Sequence, residues 1–175
     1  MKKYVILLMT VMLSVSMLTG CQENPSEEGL VLLQEGQYEE AIVLFQEAVD
    51  NKINEGDAYR GIGIAKWELG DYEGAHTAFE NALENDAEPT ATLYNFLATC
   101  EFRLNDYKRA INYYRLGMAE EDCSEEMMQQ MRFNEIVCFE QLGDWENAKA
   151  KLAEYVADYP DDAVAAKEAE FFETR

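Results

Sequence analysis

The sequence predicts an all-α fold, an α-solenoid of about four helical hairpins closed by a C-terminal capping helix. Three observations carry this expectation. A turn residue, Gly or Asn, is followed two places on by an aromatic and five places on by Ala at Gly36/Tyr38/Ala41, Gly70/Tyr72/Ala75, Asn105/Tyr107/Ala110 and Gly143/Trp145/Ala148. These turns recur at intervals of 34, 35 and 38 residues, as expected of one supersecondary unit stacked on itself. After each turn the apolar residues keep helical spacing, as in Tyr72, Ala75, Phe79 and Ala82.

The chain opens with Met1-Lys2-Lys3 and the apolar run Tyr4–Met17, which reads as a secretory signal. The run ends in Leu18-Thr19-Gly20-Cys21, which resembles the lipobox of bacterial lipoproteins, whose cysteine is lipid-modified on sulfur and becomes the new N-terminus. The resemblance implies a signal peptide over residues 1–20, lipidation at Cys21 and a polar tether over residues 21–28. An uncleaved transmembrane anchor is the alternative, since Tyr4–Gly20 just reaches the ~17 residues a span requires. More than one acyl chain, each contributing roughly 0.8 kcal/mol per buried CH₂, would hold the protein stably on a membrane.

The whole chain carries 14 Lys and Arg against 35 Asp and Glu, a formal net charge of −21. Loss of residues 1–20 removes two lysines and no acid, which makes the remainder more negative still. Such a surface repels phosphate backbones and anionic lipid headgroups, so nucleic acid is excluded as a partner and the lipid has to do the anchoring. The acidity serves solubility, or favours a basic partner.

Each repeat reads as a helical hairpin. Asp57 to Leu69 is helix-compatible, Gly70 suits the left-handed conformation that ends a helix, and Asp71 is placed to cap the next. Asn105 fits the same turn in the third repeat. Small residues seven places before each turn, Gly29, Gly63 and Ala98, would let paired helices approach closely. Asp122 is expected to cap the helix after it, with Glu125 closing a capping box. Ala163 to Thr174 reads as the capping helix.

These residues resemble the tetratricopeptide repeat (TPR) family, whose unit is a 34-residue helix-turn-helix. The likeness implies a TPR domain over residues 29–175 and is weaker in the first helix of each unit. There Lys66 and Glu101 stand where the family usually has an aromatic, and Glu135 and Ile136 where it prefers Leu and a small residue. In that family the first helices line a concave groove that binds peptides or partner segments. Similarity places there Arg60, Ile64 and Trp67 of the second repeat, Asn95, Thr99, Phe102 and Arg103 of the third, and Phe133, Asn134 and Val137 of the fourth. Arg60 or Arg103 would pair a carboxylate, and Asn95 or Asn134 would bond a peptide backbone. Trp67 and Phe102 are open between that role and replacement of the missing core aromatics. The carboxylate clamp of chaperone-binding members is not reproduced, because Ile64 stands where it needs Asn.

Catalytic chemistry finds little support. The single histidine, His76, lies beside Ala75 on a second helix, and there is no Ser/His/Asp set, phosphate loop or HExxH. Cys100 and Cys138 read as small buried hydrophobes, and no CxxC spacing or cofactor motif is present. Met118, Met127, Met128 and Met131 read as core filler or as an adaptable contact patch. The expectation is a non-enzymatic, lipid-anchored interaction scaffold of the cell envelope with a peptide or protein partner and no metal. It would sit on the outer face of the cytoplasmic membrane or on the outer membrane. The alternative is a constitutive subunit of an envelope assembly machine, as in TPR lipoproteins of outer-membrane barrel insertion, which would copurify at fixed stoichiometry.

Overall fold

A computed structural model describes residues 24–173. The expected signal segment and Cys21 lie outside the described residues. Nine α-helices and no strand occur among those residues. They are α1 (Pro25–Gln34), α2 (Tyr38–Asp50), α3 (Glu55–Glu68), α4 (Tyr72–Glu84), α5 (Ala91–Arg103), α6 (Tyr107–Ala119), α7 (Glu125–Gln141), α8 (Trp145–Asp158) and α9 (Ala163–Glu173). Each helix packs mainly on its neighbours in sequence, and α1 touches α3 and α5 touches α7. The result is a solenoid of four antiparallel hairpins with α9 against α8. No described helix is long and apolar enough to cross a membrane.

The repeated turn has one backbone solution. Gly36, Gly70, Asn105 and Gly143 all adopt positive φ, between 65° and 78°. In the second hairpin the Gly70 amide donates to the Trp67 carbonyl at 3.0 Å and the Asp71 amide to Lys66 at 2.9 Å. This double bond satisfies carbonyls left open at a helix end, and the other three turns repeat it. Asp71, Asp106 and Asp144 then accept from the amides of Gly74, Arg109 and Asn147, capping the following helices, whereas Gln37 makes no such side-chain bond.

The small residues admit aromatic rings. A methyl at Gly63 would stand 2.5 Å from Phe79 Cδ1, and one at Gly61 would stand 2.5 Å from Phe45 Cζ. Phe45 and Phe79, at equivalent places on α2 and α4, are fully buried there. At that register α6 carries Tyr114, and Tyr155 of α8 replaces the late Ala. Met131 is buried against Gly117, while Met118 and Met127 pack on the same cluster, so these three are core filler. Cys100 and Cys138 are wholly buried, and burial pushes both thiols up to about 12.

Two details differ from the expectations. Helix α1 begins at Pro25, with the Asn24 side chain accepting from the Ser26 amide, so part of the expected tether is helical. Asp122 does not cap α7. That role belongs to Ser124, which accepts from the Met127 amide, while Asp122 Oδ1 accepts from the Ala91 amide at 2.9 Å, the first amide of α5, beside that helix's own cap, Thr90. The widened junction between α6 and α7 is what lets Asp122 reach back to that helix start.

Candidate partner-binding face

The irregular positions of the first helices are resolved by ion pairs. Lys66 lies 3.0 Å from Asp71 at the surface. Glu101, only 2% exposed, places Oε1 2.8 Å from His76 Nε2 and 2.9 Å from Arg109 Nη1. Burial pushes the Glu101 carboxyl up, with Arg109 opposing, and burial pushes the His76 imidazole down. Glu135 meets Arg115 Nε at 2.6 Å. Helices α4 and α6 thus supply polar partners to buried acids of α5 and α7.

The ten residues expected to contact a partner separate into three groups. Trp67 packs edge-on against Tyr72 and Phe96, with centroids at 6.4 and 5.6 Å, and with Ile64 it covers the Phe79–Leu97 cluster. Phe102 packs edge-on against Tyr107 at 5.4 Å. Both aromatics have therefore taken the packing role, although each is only half-buried. Arg60 is paired with Asp57 at 2.8 Å near the start of α3, and Arg103 lies over the Tyr72 ring at 5.6 Å.

The second group meets between α5 and α7. Thr99 and Asn134 lie close to the buried Tyr114 hydroxyl, and burial pushes that phenol up to about 12 while these two side chains oppose the shift. Thr99 Oγ1 also donates to the Asn95 carbonyl at 2.8 Å, and Asn95 Oδ1 is buried without a hydrogen-bond partner. A buried acceptor left open costs roughly 1–3 kcal/mol unless something supplies a donor. Phe133 forms the third group with Tyr155, their centroids 5.5 Å apart, beside Asn134 in a pocket of about 550 Å³. Val137 is half-buried on the same helix.

Sequence reasoning missed the Tyr114 hydroxyl because its ring occupies a core register. The signal was there: Phe45 and Phe79 hold that register in the first two units, so the extra oxygen in the third required a polar neighbour. Missed as well were Gln129 and Asp162, which bond the Tyr155 hydroxyl at 3.0 and 2.8 Å.

Comparison with known proteins fits this architecture. Family models described as tetratricopeptide repeat match residues 27–52, 60–122 and 133–162. A search of curated proteins finds no match. Among solved structures, YrrB, described as a TPR protein with an unusual peptide-binding site, superposes with a TM-score of 0.72 at 21% identity, over 86% of this chain and 75% of that one. MamA from Desulfovibrio magneticus RS-1 gives a TM-score of 0.70 at 18% identity, over 86% and 82%. A further MamA structure gives 0.71 at 14% identity, over 85% and 78%. At these identities the likeness is one of fold. The repeat matches together take in more than half of the chain, and with the four left-handed turns and the stacked hairpins they make it a member of the tetratricopeptide repeat family.

Proposed function

We propose that this protein is a scaffold of the bacterial cell envelope, anchored by a lipid on Cys21, that binds a peptide or protein segment along the first helices α3, α5 and α7. TPR folds serve protein recognition, and one structural neighbour is itself described as having a peptide-binding site. The observation that carries the reading here is the polar seam between α5 and α7. Asn95 Oδ1 is buried and unpartnered, while Thr99 and Asn134 lie close to the Tyr114 hydroxyl. Asn95 and Asn134 are each half-buried, so part of both side chains faces the surface of α5 and α7, and an extended chain offers backbone donors and acceptors to such groups at regular intervals. Arg103 flanks the seam with an exposed guanidinium.

Crosslinking in intact cells followed by identification of the captured protein tests this. Arg103→Glu and Asn134→Ala should each reduce capture several-fold without loss of helical signal. Equal capture by wild type and both variants would remove the first-helix face from consideration. Anchoring has a separate readout: Cys21→Ser should release the protein from membranes or leave it unprocessed, and normal mature lipoprotein in that variant would refute the lipid anchor.

A further inference from the structure

The pocket between α7, α8 and the start of α9 has a chemistry of its own. Glu126, Gln129, Phe133, Asn134, Tyr155 and Asp162 line its volume of about 550 Å³. The half-buried Phe133 ring, packed on the buried Tyr155, forms one apolar side. Asp162 is held rigidly at the other: its Oδ1 accepts from the amides of Val164 and Ala165 at 3.0 and 3.1 Å, and its Oδ2 accepts from the Tyr155 hydroxyl at 2.8 Å. The Ala165 amide above all, with the Tyr155 hydroxyl, holds this carboxyl below the usual range, so it is ionised at neutral pH.

Among the described residues neither Asp162 nor Glu126 pairs with a cation, and the ion pairs of this region are Arg132–Asp158 and Lys151–Glu154. Arg132 shows what the neighbouring surface accepts. Its guanidinium lies 2.8 Å from Asp158 Oδ2 and 5.4 Å from the centre of the Tyr159 ring, between a carboxylate and an aromatic face.

We infer that this pocket receives a lysine or arginine side chain of the bound segment, with the aliphatic stem against Phe133 and the cationic head facing Asp162 and Glu126. The inference rests on the proposed first-helix binding face, since Phe133 and Asn134 belong to both. It assigns the partner's chemistry as basic at one fixed position. The formal charge of −21 favours such a segment over an acidic one. A charge-assisted hydrogen bond acts on that head while the stem covers the Phe133 ring.

Selection of a random peptide display library against the full chain in nonionic detergent tests this. Peptides retained by wild type should carry Lys or Arg at one fixed position. In a retained arginine peptide, replacement of that arginine by citrulline, which keeps the shape and loses the charge, should weaken binding about tenfold. Glu126→Gln, at an exposed position that caps no helix, should shrink the arginine-over-citrulline ratio, and Asp162→Asn should shrink it further. Retained peptides that depend on Asn134 but show no fixed basic residue, or an unchanged ratio in both variants, would overturn the pocket assignment and leave the binding face standing. Failure to retain any peptide that responds to Asn134→Ala or Arg103→Glu would overturn both.

Discussion

Glu140, near the end of α7, has one carboxylate oxygen buried without a hydrogen-bond partner, and Glu168 of α9 faces it. Burial first, and the like charge of Glu168 second, push the Glu140 carboxyl from its ordinary 4.5 up to about 7. Folding therefore favours the protonated form. That contribution is complete below about pH 4.5 and is lost as pH rises through about 7. Each pH unit between these values costs up to about 1.4 kcal/mol, a ceiling of about 3 kcal/mol. Solvent screening at this half-buried site lowers the expected cost to about 1–2 kcal/mol. Glu140→Gln removes the ionisation and keeps the shape. It should leave stability nearly unchanged at pH 5 and raise it by about 1–2 kcal/mol at pH 8, a gain of roughly 3–6 °C in Tm. Thermal melts followed by circular dichroism at pH 5, 6.5 and 8 read this directly. Glu168→Gln should reproduce only the smaller part of the effect, because burial, the larger cause, remains, and the double variant should add little to Glu140→Gln. A gap between wild type and Glu140→Gln that is constant with pH, or a loss of stability at pH 8, would refute the reasoning.

Three further outcomes follow from the packing. Gly63→Ala drives a methyl to 2.5 Å from two Phe79 ring atoms and should cost about 1–3 kcal/mol in urea unfolding, whereas Gly70→Ala meets nothing within 4 Å and should cost only the ~1 kcal/mol of its left-handed backbone. Arg109→Met removes an ion partner of the buried Glu101 and should destabilise by about 2–4 kcal/mol, measured the same way, with Glu101→Gln in the same background recovering part of the loss. Tyr114→Phe deletes the buried hydroxyl beside Thr99 and Asn134 and should cost about 1 kcal/mol, while reducing partner capture in the crosslinking assay.

The parts of the fold legible in the sequence are those governed by local backbone chemistry. The turns at Gly36, Gly70, Asn105 and Gly143 need positive φ, and the Asp after three of them caps a helix three residues on, so both are written in short stretches of chain. Asp122 shows where local rules stop: a capping rule favours the nearest helix start, yet this side chain bonds the amide of Ala91, 31 residues away. Glu101 is a similar case. Its partners come from two other helices, and only the stacked arrangement brings His76 and Arg109 to it. On the candidate face, Thr99 and Asn134 were identified individually, but the Tyr114 hydroxyl beside them belongs to a ring whose register reads as core. Trp67 and Phe102 pack against the core clusters, a role that spacing alone left open beside partner binding.

The central claim is that partners engage the first helices rather than the second. A photocrosslinking amino acid placed at Asn134 of α7, and separately at the exposed Leu116 of α6, compares the two faces in living cells. The account predicts a discrete adduct from position 134 and none from 116. An adduct from position 116 with none from 134 would contradict it.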